Sequence, residues 1–152
     1  MSKELFEKAL SFVLRWEGGY VNHPNDLGGA TNMGITQNTY NSWLAQQGHD
    51  KKDVSALSLD EAKQIYYERY WKAAKCDTMS AKFAVLAFDT AVNMGVSRVK
   101  EFLAAACYLY PDKFIKARED KYRQFTKVKG QGIFLQGWLN RLRALKDFIK
   151  QL

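Results

Sequence analysis

Fifteen consecutive residues, Ser80 to Met94 (SAKFAVLAFDTAVNM), constrain the fold more than any other stretch of the chain. Apolar side chains fall on nearly every side of the helix that this pattern predicts. Such a helix has no face to give to water and belongs at the centre, with other elements packed around it. Gly95 ends it. Asp89, Thr90 and Asn93 are its polar exceptions. An unpaired polar group buried there costs roughly 1–3 kcal/mol, so each is expected to hydrogen-bond to a neighbouring helix end, a loop or water. Pinning of the helix is their first reading.

The surrounding helices are legible on both sides. A first, capped by Ser2, is predicted over about Lys3–Trp16, with Leu5, Phe6, Ala9, Leu10, Phe12, Val13 and Trp16 on one face. A second starts at Thr36 and runs through Tyr40, Trp43 and Leu44 to Gly48. Ser58 and Glu61 form a capping box that opens a third, through Ile65, Tyr66, Tyr70 and Trp71. Ser97 is expected to cap a helix reaching Tyr110, with Cys107 on it. After Pro111, the alternating charges of KAREDKYRQFTKVKG read as a solvated face. A last helix begins near Phe134 and carries the stripe Leu135, Trp138, Leu139, Leu142, Leu145, Ile149 and Leu152. Its Arg141, Arg143, Lys146 and Lys150 are assigned to the basic surface. No repeat or linker divides the chain. The reading is mainly α, a single helical domain over residues 1–152 with a small irregular or β-hairpin element near residues 20–36.

Composition removes several classes of function. Hydrophobic content of 47% and aromatic content of 14% exclude a disordered chain. No apolar run approaches the ~18 residues of a membrane span. The start, MSKELFEKALSF, lacks the apolar block and cleavage site of a secretory signal, so cytoplasmic synthesis is expected and a substrate outside the cell would need other delivery. The net charge of +7 favours anionic partners, among them nucleic acid, anionic lipid and the acidic polymers of bacterial walls, or serves solubility alone. Two histidines, His23 and His49, and two cysteines, Cys76 and Cys107, are too few for a metal centre. Both cysteines read as free thiols, and neither metal nor cofactor is expected.

The site is expected in Arg15–Gln37 (RWEGGYVNHPNDLGGATNMGITQ), which holds five of the ten glycines and one of the two prolines. An irregular, glycine-dense excursion costs conformational entropy, and loops held by a rigid frame are where binding and catalysis concentrate. Gly18 and Gly19 stop the first helix and leave Glu17 at its C-terminal edge. The negative end of the helix dipole, with apolar cover from Trp16 and Tyr20, favours a proton-bearing carboxyl there, as a general acid requires. The alternative is an ordinary glutamate at a frayed helix end. Asp26 is a candidate second acid, or an Asx residue that stabilises a turn. Thr31 and Asn32 are polar groups able to orient a sugar or a water. Short extended pieces around Tyr20–Val21 and Met33–Ile35 are expected to pair as a ribbon.

EGGY (Glu17–Tyr20), D-x-GGAT (Asp26–Thr31) and GIT (Gly34–Thr36) together resemble the opening block of glycoside hydrolase family 108, phage and bacterial N-acetylmuramidases with a lysozyme-like fold. FDTAVNMG (Phe88–Gly95) and GWLNR (Gly137–Arg141) resemble that family's C-terminal half, which is often described as peptidoglycan-binding. The resemblance implies a lysozyme-like catalytic half over 1–80 and a helical half over 81–152. It implies cleavage of the β-1,4 bond between N-acetylmuramic acid and N-acetylglucosamine, with Glu17 as the catalytic acid. Asp26 is assigned to activating water or stabilising the oxocarbenium-like transition state. Tyr20, Thr31, Asn32 and Asn93 are the candidate substrate contacts. The partner is bacterial peptidoglycan, with no nucleic acid and no membrane span, and the protein is expected to be a monomeric phage or prophage endolysin that reaches the wall through a holin, a role in a bacterial host being the alternative. A lytic transglycosylase, a non-catalytic peptidoglycan-binding module and a basic nucleic-acid binder are the alternatives.

Overall fold

The computed structural model describes residues 3–22 and 29–152. Seven α-helices are present among the described residues: α1 (Lys3–Glu17), α2 (Gln37–Gln46), α3 (Leu59–Tyr66), α4 (Ala81–Met94), α5 (Val96–Ala105), α6 (Pro111–Phe125) and α7 (Leu135–Ile149). A two-residue antiparallel hairpin, β1 (Thr31–Asn32) and β2 (Ile35–Thr36), stands between α1 and α2, with Asn32 opposite Ile35. Val21 bridges to Thr31 on its other side. A hairpin is therefore present in the expected region, but Tyr20–Val21 does not pair with Met33–Ile35: Val21 pairs with Thr31, Ile35 with Asn32, and Met33 sits in the turn at φ +50°. The fold is mainly α and lysozyme-like, as expected. Among the described residues, no helix is long and apolar enough to cross a membrane.

α4 occupies the centre. Every residue from Phe83 to Ala91 is buried, Asp89 and Thr90 included. α1, α5, α6 and α7 all pack against it. Phe88 meets the edge of Phe6 from α1, and Tyr66 and Trp71 from the α3 side, with ring centroids 5.3–6.2 Å apart. Burial of each such large apolar side chain stabilises the fold by roughly 1.5–3 kcal/mol.

Local signals set the helix ends. Thr36 Oγ1 accepts from the Thr39 amide to open α2. Ser58 and Glu61 exchange both bonds of their capping box, and the Glu61 carboxylate also accepts from the Tyr40 hydroxyl at 3.0 Å. α3 then loosens into a π-helical turn over Tyr67–Trp71. Three expectations give way. Gly95, at φ +95°, turns the chain directly from α4 into α5, so Gly95 holds the cap position assigned to Ser97. α5 stops at Ala105, because Cys107 and Tyr108 adopt left-handed backbone. Cys107 is therefore an exposed thiol in a turn, whereas Cys76 is buried. The Ser2 cap lies outside the described residues.

Candidate active site

Glu17 is the last residue of α1, and Gly18, at φ +75°, takes the chain out of the helix behind it. Its side chain is 21% exposed, so it is neither free in solvent nor sealed in the core. The β1–β2 turn leans directly on it. A Cβ at Gly34 (φ +77°) would lie 2.7 Å from the Tyr66 hydroxyl and 2.9 Å from both Cβ and Oε2 of Glu17. Only glycine allows this approach, and Tyr66 fixes it by donating to the Met33 carbonyl at 2.5 Å.

Gly34→Ala is accordingly expected to destabilise the protein. The left-handed backbone alone costs a residue with a Cβ about 1–2 kcal/mol, and the displaced turn adds to it. Denaturant unfolding measures the loss, and activity should fall with it, because the new methyl presses on Glu17. Unchanged stability and activity would show that the turn does not bear on the carboxylate.

On its other side Glu17 meets α7. Arg141 Nη1 donates to Glu17 Oε1 at 2.8 Å, while its Nε and Nη2 donate to Asp89 Oδ1 at 3.1 and 2.9 Å. Asp89 Oδ2 pairs with Arg118 Nη2 from α6 at 2.7 Å, and Arg118 Nη1 donates to Thr90 Oγ1 at 2.9 Å. Arg118 and Asp89 are fully buried, and Arg141 is 6% exposed. Two arginines and two carboxylates thus alternate from the core to the site. Burial pushes the Asp89 carboxyl upward, but the Arg118 and Arg141 guanidiniums outweigh it and hold the group below the usual carboxylate range. Burial works against the Arg141 charge, and Asp89 first and Glu17 second overcome that.

Arg141, expected on the basic surface, and Arg118, expected on a solvated face, are core residues instead. Asp89, Thr90 and Asn93 pin α4 as expected, but to side chains of α6 and α7 in place of helix ends or loops. The cover over Glu17 also differs from expectation. Trp16 and Tyr20 are 39% and 47% exposed, and Trp16 packs toward Phe12. Tyr66 and Tyr70, stacked at a tilt 5.4 Å apart, stand near Glu17 instead. Burial and then the Glu17 charge push both phenols above their ordinary value.

Thr31 is half-buried, with its backbone paired to Val21 at 2.8 Å. Asn32 is buried and donates from Nδ2 to the Val54 carbonyl at 3.0 Å. Asn93, partly buried, accepts through Oδ1 from the Tyr122 hydroxyl and from Arg118 Nη2. Asp26 lies outside the described residues. Among the described residues no group of three or more His, Cys, Asp or Glu side chains could hold a metal ion.

Comparison with known proteins adds two findings. The profile of the family described as glycosyl hydrolase 108 matches residues 10–95, more than half of the chain, from the middle of α1 to the end of α4. SagA of Brucella abortus has a similar solved structure: TM-score 0.79, 29% identity, with 99% of this chain and 96% of SagA covered. No curated protein matched the sequence.

Proposed function

Because the chain belongs to glycosyl hydrolase family 108, and is therefore a glycosidase for which peptidoglycan is a fitting polymer, we propose that it hydrolyses the β-1,4 bond between N-acetylmuramic acid and N-acetylglucosamine. Glu17 is the general acid in this reading. The observation that carries it is the division of labour between its two oxygens. Oε1 is occupied as an acceptor by Arg141 Nη1, whereas Oε2 has no hydrogen-bond partner among the described residues. Oε2 is therefore the oxygen proposed to deliver a proton to the bridging glycosidic oxygen as the bond breaks, while Arg141 and the Gly34 turn hold the side chain in place. Asp26, nine positions on, is proposed to activate the attacking water or to stabilise the oxocarbenium-like sugar. Tyr20 and Thr31 are proposed to contact the glycan.

Residues 81–152 supply Asp89, Arg118 and Arg141, so this half is proposed to complete the catalytic site as well as the fold. The positive charge draws the enzyme to anionic wall polymers. As a monomeric phage or prophage endolysin, it would reach them through a holin lesion.

The test is the clearing of a peptidoglycan suspension, followed by the masses of the released muropeptides. Hydrolysis leaves products that have gained a water. Anhydro products, lighter by one water, would replace the hydrolase with a lytic transglycosylase. Binding without clearing would reduce the protein to a wall-binding module.

A further inference from the structure

We propose that Ile133 and Phe134, backed by Trp138, form an apolar ledge that binds the glycan strand at a distance from the bond being cut; this rests on the function proposed above. Ile133 and Phe134 are 80% and 47% exposed, neighbouring large apolar side chains that the core does not use. They lie in a short 3-10 turn (Gly132–Phe134) just after Gly130, and lead directly into α7.

The ledge is braced from behind. Trp138 stacks on Tyr122 with centroids 5.2 Å apart and planes 16° from parallel, and Phe125 meets its edge at 6.1 Å. Phe134 leans on Trp138 at 5.9 Å. The Tyr122 hydroxyl donates to Asn93 and accepts from Arg118 Nε at 3.0 Å. The ring stack is therefore anchored to the same buried ion cluster that holds Glu17. A rigid aromatic ring half open to water is the surface on which the apolar face of a pyranose stacks, at little cost in side-chain entropy.

Its position commits it to the glycan. Phe134 immediately precedes α7 with helical backbone, and Trp138 and Arg141 follow it on α7 at spacings of four and three, which places the three on one face. The ledge stands about 10 Å along the helix axis from Arg141, at ~1.5 Å per residue, and the Arg141 guanidinium touches Glu17. That is within the length of a polymer seated over Glu17. Asn93 accepts from Tyr122, the ring on which Trp138 stacks. Both donors on its Oδ1 come from protein, which leaves its Nδ2 as a donor with no partner among the described residues.

Solubilised peptidoglycan glycan chains, and the corresponding disaccharide, would be titrated calorimetrically into Glu17→Gln protein with and without Ile133→Ser and Phe134→Ala. The expected result is five- to tenfold weaker binding of long chains, unchanged binding of the disaccharide, and recovery with Phe134→Trp. In otherwise wild-type protein, the same ledge changes should raise KM on polymer and leave kcat unchanged. Equal affinity for long chains in both proteins overturns the ledge, as does an equal loss for the disaccharide. A wild-type dimer that the ledge variant dissociates on gel filtration overturns it too, since the patch would then be a protein interface. Wall clearing by wild type, with long-chain affinity indifferent to the ledge, sinks the ledge alone; absence of both clearing and glycan binding sinks the proposed function with it.

Discussion

Glu17→Gln is expected to lower kcat for peptidoglycan hydrolysis by about 10²–10⁴-fold, the usual contribution of a positioned general acid, with little change in KM. The substitution is close to silent structurally. An amide oxygen can still accept from Arg141 Nη1, now at 2.8 Å from Oε1. The amide nitrogen takes the place of Oε2 beside Gly34, where a carboxyl proton is replaced by hydrogens that do not transfer. A thermal melt of the variant separates loss of chemistry from loss of fold. Glu17→Asp tests the same point through geometry: the acid remains but withdraws by one methylene, and a misplacement of about 1 Å costs on the order of 10²-fold. Wall clearing at the wild-type rate by either variant would remove Glu17 from the role of acid.

The parts of this arrangement that were legible in sequence are those set by local chemistry. A helix apolar on all sides has one place to go, and α4 is there. Thr36, Ser58 and Glu61 cap because their side chains reach backbone amides a few residues away, whatever surrounds them. The turns at Gly18 and Gly34 were legible because left-handed backbone, and at Gly34 the close approach to Tyr66 and Glu17, exclude a residue with a Cβ. The ion cluster was illegible for the opposite reason: a charge in KAREDKYRQF has the same local pattern whether it faces water or the core. A signal did exist. Arg118 falls four residues after Phe114 and four before Tyr122, all buried, and Arg141 falls between Trp138 and Leu145 on the stripe of α7. Two arginines on apolar stripes and one aspartate on an apolar helix call for each other, because none can be buried alone. Which arginine reaches Glu17 is a matter of tertiary packing and could not be read from spacing.

That cluster carries the second large expectation. Asp89→Asn keeps the shape of the side chain but leaves Arg118 and Arg141 facing a neutral amide, and breaking a buried pair in this way costs about 3–5 kcal/mol. The folded-state carboxyl of Asp89 is held below its unfolded value of about 4. Its ionised form therefore stabilises the fold above that pH, and the contribution is lost as pH falls through the lower folded value. Wild type should lose stability on acidification over that window, and Asp89→Asn should show a flatter profile from a lower starting point. Arg141→Lys separates stability from catalysis. A single ammonium cannot reproduce two bonds to Asp89 and a third to Glu17, because it lacks the planar fork of the guanidinium. With charge retained beside Asp89 but Oε1 released, kcat should fall further than stability predicts, whereas a merely structural arginine would lose both in proportion. Full activity in Arg141→Lys would mean that Glu17 is oriented by the Gly34 turn alone, and that the charges behind it serve only the core.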